Sequence, residues 1–138
     1  MMRKVLTAIA GAFVATAAFA ATPAQAQTYA YLYMGNADPS LDITISDVSW
    51  SGSYYPRIEG TLKAGSPEVR GSYHTVLGDG NVSFKANMTV NGAIQTCYFY
   101  VDVSSSGSIS AGAIHWTGSP NCSANRSGSN VTFTMSKQ

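Results

Sequence analysis

Two cysteines and eight tyrosines are the residues of this chain whose types and spacing best suit chemistry. Cys97 and Cys122 are its only thiols. A thiol pair can ligate a metal, act as a nucleophile or oxidise to a disulfide. Metal binding needs further cysteines or histidines at ligand spacing, and none accompanies this pair. An even cysteine count in an exported chain reads as a disulfide framework, so Cys97 and Cys122 are expected to pair with each other. The bridge would close a loop of about 26 residues, which the chain-entropy account values at roughly 3.5 kcal/mol.

The tyrosines fall in a pattern. Tyr29, Tyr31 and Tyr33 alternate, so on a strand they share one face. Tyr98 and Tyr100 also alternate, and Tyr54-Tyr55-Pro56 follows Trp50 in a turn. Tyrosine offers a rigid apolar ring with a polar tip, and an exposed row can stack on sugar rings or anchor a protein contact. The same row can instead serve cross-strand packing. Tyr29, Tyr31, Tyr33, Tyr98 and Tyr100 are therefore the candidate binding surface, with packing as the plain alternative.

Catalytic chemistry is poorly supported. The chain has no Gly-x-Ser-x-Gly, Ser-x-x-Lys, His-Glu-x-x-His or phosphate-cradling glycine loop. His74 and His115 have no carboxylate or nucleophile within a short motif, and the strand parity of His74 points it to solvent. Asp38 with Asp42, and Glu59 with Glu68, could be paired carboxylates, but chance proximity accounts for them. Asn36 to Asp42 carries oxygen ligands without calcium-loop spacing and reads as an Asx-turn before a strand. Neither a metal nor a cofactor is expected. The Asn-x-Ser/Thr sequons at Asn81, Asn87, Asn121, Asn125 and Asn130 arise by composition in a chain this rich in Asn, Ser and Thr.

The N-terminus argues for export. Arg3 and Lys4 precede an apolar run, Val5 to Ala21, interrupted only by Thr7, Gly11 and Thr16. Thr22-Pro23 breaks that helix, and Ala24-Gln25-Ala26 supplies the small residues a signal peptidase requires. A cleaved secretory signal peptide is expected over residues 1–26, leaving 27–138 as a single β-domain. The apolar run falls short of the roughly 20 residues of a spanning helix, so no membrane span is expected after cleavage. The Ala-rich leader suggests a bacterial protein, secreted or periplasmic. The mature chain keeps six basic and seven acidic residues, a net charge of −1. It therefore lacks the basic face that nucleic acid or an anionic membrane would need.

The elements that must position these residues are strands. After Gln27 the pattern is apolar–polar alternation between Gly, Ser, Asn and Pro clusters, with no helical period. The expected fold is all-β: a compact antiparallel sandwich or small barrel of about eight strands with one disulfide. The candidate strands are 28–34, 41–50, 57–63, 68–77, 82–90, 93–103, 108–116 and 130–136. Asn91-Gly92 suits a two-residue type I′ turn, which sets a hairpin register. Val82 then faces Val101, Phe84 faces Phe99, Ala86 faces Cys97 and Met88 faces Gln95, all on the core side. Tyr98 and Tyr100 point the other way.

Turns at Ala64 to Pro67, Gly78 to Gly80 and Ser104 to Gly107 suggest a meander from about Arg57 to Trp116. Parity changes call for bulges near Ser46-Asp47 and near Gly112. Thr117 to Ser129 reads as one long polar loop, tied to the core through Cys122.

The expected function is that of a secreted, non-catalytic binding module for a glycan, an envelope component or another extracellular protein. The alternative is a structural or surface-assembly protein, pilin-like or matrix-associated, that recruits strands at an open sheet edge. A small hydrolase or an inhibitor of one comes third. Nothing in the sequence sets an oligomeric state.

Overall fold

The computed structural model describes residues 28–75 and 78–138. The expected leader, its cleavage point and residues 76–77 lie outside them. Among the described residues ten strands are present: β1 (Thr28–Met34), β2 (Ile43–Trp50), β3 (Ser53–Tyr54), β4 (Thr61–Leu62), β5 (Val69–Thr75), β6 (Gly80–Val90), β7 (Ala93–Val103), β8 (Ile109–Thr117), β9 (Asn121–Ser127) and β10 (Asn130–Ser136). They form two five-stranded sheets. Sheet A has the order β3-β5-β1-β10-β9 and sheet B the order β4-β2-β6-β7-β8. The molecule is a β-sandwich rather than a barrel.

Alternation decides what fills the space between the sheets. On β1, Ala30, Leu32 and Met34 are buried while Tyr29 and Tyr31 are exposed. On β10, Val131, Phe133 and Met135 point inward. Sheet B supplies Val82, Phe84, Ala86 and Met88 from β6 and Cys97, Phe99, Val101 and Val103 from β7. Phe84, Phe99 and Phe133 meet at the centre, with ring centroids 5.0–5.5 Å apart. The hairpin register is the expected one throughout, from Val90 opposite Ala93 to Val82 opposite Val101. Asn91 and Gly92 both have positive φ, 51° and 81°, as a type I′ turn demands.

The disulfide joins Cys97 on β7 to Cys122 on β9 with a Cα–Cα distance of 5.7 Å, so it staples sheet B to sheet A. Ala86 lies directly across from Cys97 and leaves room for it.

Several expectations need correction. The segment 117–129 is not a loop: residues 121–127 form β9, antiparallel to β10. The strand escaped notice because its outward residues are Asn and Ser, and its inward ones, Cys122 and Ala124, are small. The meander holds only for β6, β7 and β8. Before β6 the chain crosses between the sheets at every connection, so Ala64 to Pro67 links β4 in sheet B to β5 in sheet A. The sandwich is not wholly antiparallel, because β1 and β10 run parallel side by side.

One bulge lies where expected, between Ser46 and Ser49 on β2, with Asp47 at φ 51°. The other is not at Gly112. The β7/β8 register shifts between Thr96 and Cys97, leaving Trp116 as the extra residue of β8. Ala111 and Ala113 face inward, whereas Ile114 and Trp116 simply face outward.

Candidate functional site

The five candidate tyrosines do not form one surface. Tyr29, Tyr31 and Tyr33 lie on the outer face of sheet A, and Tyr98 and Tyr100 on the outer face of sheet B. The hydrophobic core separates them. On sheet A, Tyr29 stacks on Tyr31 at 6.4 Å and packs on His74 at 5.0 Å. Tyr33 donates to Asn130 Oδ1 at 3.3 Å. The neighbouring strands β10 and β9 show mainly Thr, Ser and Asn here, so the row is bounded by small polar groups.

The outer face of sheet B is more apolar. The hairpin register puts Ile94 there with Tyr98 and Tyr100, as expected, but Trp116 and Ile114 join them unexpectedly; Trp116, Ile114 and Ile94 are 57%, 49% and 57% exposed. The missed signal was parity. A bulge near Gly112 would turn Ile114 and Trp116 inward, but the strand runs unbroken there and puts Ile114 beside Tyr98.

The arrangement on this face follows from the strand order. Lys85 on β6, Tyr98 on β7 and Ile114 on β8 lie in one row across the sheet. Trp116 rises from the bulge and leans over β7. Its ring centroid is 5.6 Å from that of Tyr98, and the Lys85 ammonium lies 4.5 Å from the indole centroid. Tyr98 in turn packs on Tyr100 at 6.1 Å. Tyr100 lies flat against the backbone of Gly112, its partner on β8. Any Cβ at Gly112 would run into the Tyr100 ring, with Cε1 only 2.7 Å away. The glycine thus lets the ring lie down, and the face stays level there.

Charge on this face is sparse, and its acid Asp102, beyond Tyr100 on β7, accepts from the Asn81 side-chain amide at 2.8 Å. Lys85 pairs with Asp47 at 3.1 Å, and Asp47 is delivered by the β2 bulge. Toward the β6–β7 turn the same face dips into a shallow open cleft of about 490 Å³ between Asp42, Thr44, Thr89 and Ile94. Asp42 accepts from the Ala64 amide at 2.9 Å and from Lys63 at 3.2 Å, and these bonds hold its carboxyl below the usual range.

The remaining candidates have structural places. Asp38 accepts from the Ser40 and Leu41 amides, both at 2.8 Å, closing the Asx-turn that leads into β2. The Ser40 amide is the main reason its carboxyl sits below the usual range. His74 and His115 belong to different sheets, His74 packed on Tyr29 and His115 beside Cys122 in a second shallow cleft. Among the described residues no three His, Cys, Asp or Glu side chains gather into a metal site, and no helix is long and apolar enough to cross a membrane.

Comparison with known proteins brings no relative: no family model, no curated protein and no solved structure matches the chain.

Proposed function

We propose that the protein is an exported, non-catalytic binding module whose working surface is the outer face of sheet B. The observation that carries this reading is a contiguous cluster on the outer face of sheet B, in which the exposed Trp116 (57%) and Ile114 sit on and beside the half-buried Tyr98 and Tyr100. Exposed large apolar side chains scattered singly need no explanation, but a contiguous group marks a contact surface. Tryptophan and tyrosine are also the side chains that dominate binding energy when they anchor a partner.

A surface-assembly role by strand addition has less support. Strands β3 and β4, which close one edge of each sheet, have two residues each, and the neighbouring half of β2 is bulged at Asp47. At the other edges β8 and β9 follow one another in the chain and pack side by side, with the disulfide tying β9 to β7, the neighbour of β8. Short, bulged and mutually covered edges are devices that discourage further strand pairing. A hydrolase is disfavoured because His74 and His115 lie on different sheets and the carboxylates of Asp38 and Asp42 are taken up by backbone amides.

The test is co-sedimentation of the exported protein with a bacterial envelope fraction. The wild type is expected to pellet with it, and a Trp116→Ala/Ile114→Ser variant of unchanged melting temperature to stay in the supernatant. Equal partitioning of both proteins contradicts the reading.

A further inference from the structure

The outer face of sheet B joins two surfaces of different character. At one end is an aromatic ledge and at the other a cleft walled by hydroxyls and a carboxylate. Tyr98 and Ile94 are four residues apart on β7, a span of about 13 Å at strand rise. The two surfaces are therefore within reach of one short linear ligand.

Trp116 shows which side of the ledge is open. The Lys85 side chain is only 24% exposed, whereas Trp116 is 57% exposed. The indole therefore roofs the ammonium, and the ring face away from the sheet is turned to solvent. An aromatic face carries the negative lobe of its quadrupole and attracts weakly positive C–H groups. A pyranose ring has such a face, with its hydroxyls directed outward around the rim.

Charge narrows the ligand further. The cation on the ledge is already paired with Asp47 at 3.1 Å and lies against the indole, and the cleft's Asp42 is paired with Lys63 at 3.2 Å. A polyanion would find no unpaired cation among these residues, and the acid beyond Tyr100, Asp102, lies away from the cleft and accepts from the Asn81 side-chain amide at 2.8 Å. A protein partner would have to desolvate the cleft's hydroxyls and carboxylate, which costs free energy unless each is matched. Sugar hydroxyls match them directly.

We infer that this face binds a neutral oligosaccharide, with one ring stacked on the outward face of Trp116 and the next rings running along β7 into the cleft beside Ile94. The inference rests on the reading that the outer face of sheet B is the binding surface, and it names the ligand class.

The probes are cellohexaose, N-acetylchitohexaose and laminarihexaose, titrated separately by calorimetry, with polygalacturonate as the charged control. A Trp50→Phe protein keeps Trp116 as the single tryptophan of the mature chain, so its fluorescence reports the ledge alone. At least one neutral hexasaccharide is expected to bind and to change that emission. Trp116→Ala should weaken it about tenfold or more. Ile94→Ser, at the far end of the site, should weaken it to a lesser degree, and polygalacturonate should not compete. The inference is overturned if no neutral hexasaccharide binds at millimolar concentration, if Trp116→Ala leaves the affinity unchanged, or if polygalacturonate binds more tightly. Silent saccharides alongside Trp116-dependent envelope pelleting would sink the sugar ligand and leave the binding module standing. Loss of both would remove both.

Discussion

Trp116 anchors the proposed surface without supporting the core. Its indole rests on Tyr98 and over Lys85 rather than in the core, so its removal leaves no internal cavity. Trp116→Ala is expected to cost about 1 kcal/mol or less, measured as urea unfolding, because only cross-strand contacts at the surface are lost. Tyr54 behaves in the opposite way. It is 2% exposed, its hydroxyl accepts from the Ile58 amide at 3.0 Å, and burial pushes its phenol up to about 12. A group whose pKa is higher in the folded than in the unfolded chain stabilises fully below the unfolded value and loses that contribution as pH rises through the folded one. Stability should therefore fall between pH 10 and about 12, by up to ~3 kcal/mol from this group. Tyr54→Phe should flatten that fall. At neutral pH it should cost about 1–3 kcal/mol, because the Ile58 amide loses its acceptor. Asp38 and Asp42 work from the acid side: their lowered pKa values stabilise the fold above the ordinary carboxylate range, and the contribution goes as pH drops through the lowered values.

Individual elements were legible where local chemistry was strong. Asn91-Gly92 sets the β6–β7 turn, and the alternation from Val82 to Met88 tolerates only one register, since a slip would bury Lys85 and expose Phe84. The β2 bulge was legible because Ile45 and Val48 disagree in parity, with Asp47 between them. The β8 bulge was displaced because an exposed tryptophan was read as a core residue. β9 was invisible, since an edge strand with Asn and Ser outward and Cys and Ala inward has no apolar alternation.

The disulfide shows what β9 contributes. Cys97→Ala should lower stability by about 2–5 kcal/mol in reversible denaturation, because sheet A loses its covalent tie to sheet B. Gly112 tests the ledge from below. Gly112→Ala pushes the Tyr100 ring off the strand and should cost about 1 kcal/mol. In a Tyr100→Ala background that cost should largely disappear, so the double-mutant cycle should show strong coupling. Additive costs would mean that Tyr100 does not lie on the glycine.

For the whole molecule, composition and alternation were enough for an all-β domain with one disulfide, but not for the path between sheets. A turn such as Ala64 to Pro67 has the same chemistry whether the next strand joins the same sheet or the opposite one. What decides is the long-range pairing of β5 with β1, which no local pattern carries. This also explains why Tyr29, Tyr31 and Tyr33 could not be related to Tyr98 and Tyr100 from sequence: strand parity says inside or outside, never which outside. The sandwich puts the two groups back to back and makes their contributions separable.

The most direct measurement follows from that separation. A Tyr29→Ala/Tyr31→Ala protein and a Trp116→Ala/Tyr98→Ala protein, each checked for an intact disulfide and a cooperative melt, are compared with wild type for partitioning onto a bacterial envelope fraction. The sheet A variant is expected to bind like wild type and the sheet B variant to lose binding by about tenfold or more. Loss of binding in the sheet A variant with retention in the sheet B variant would contradict that expectation.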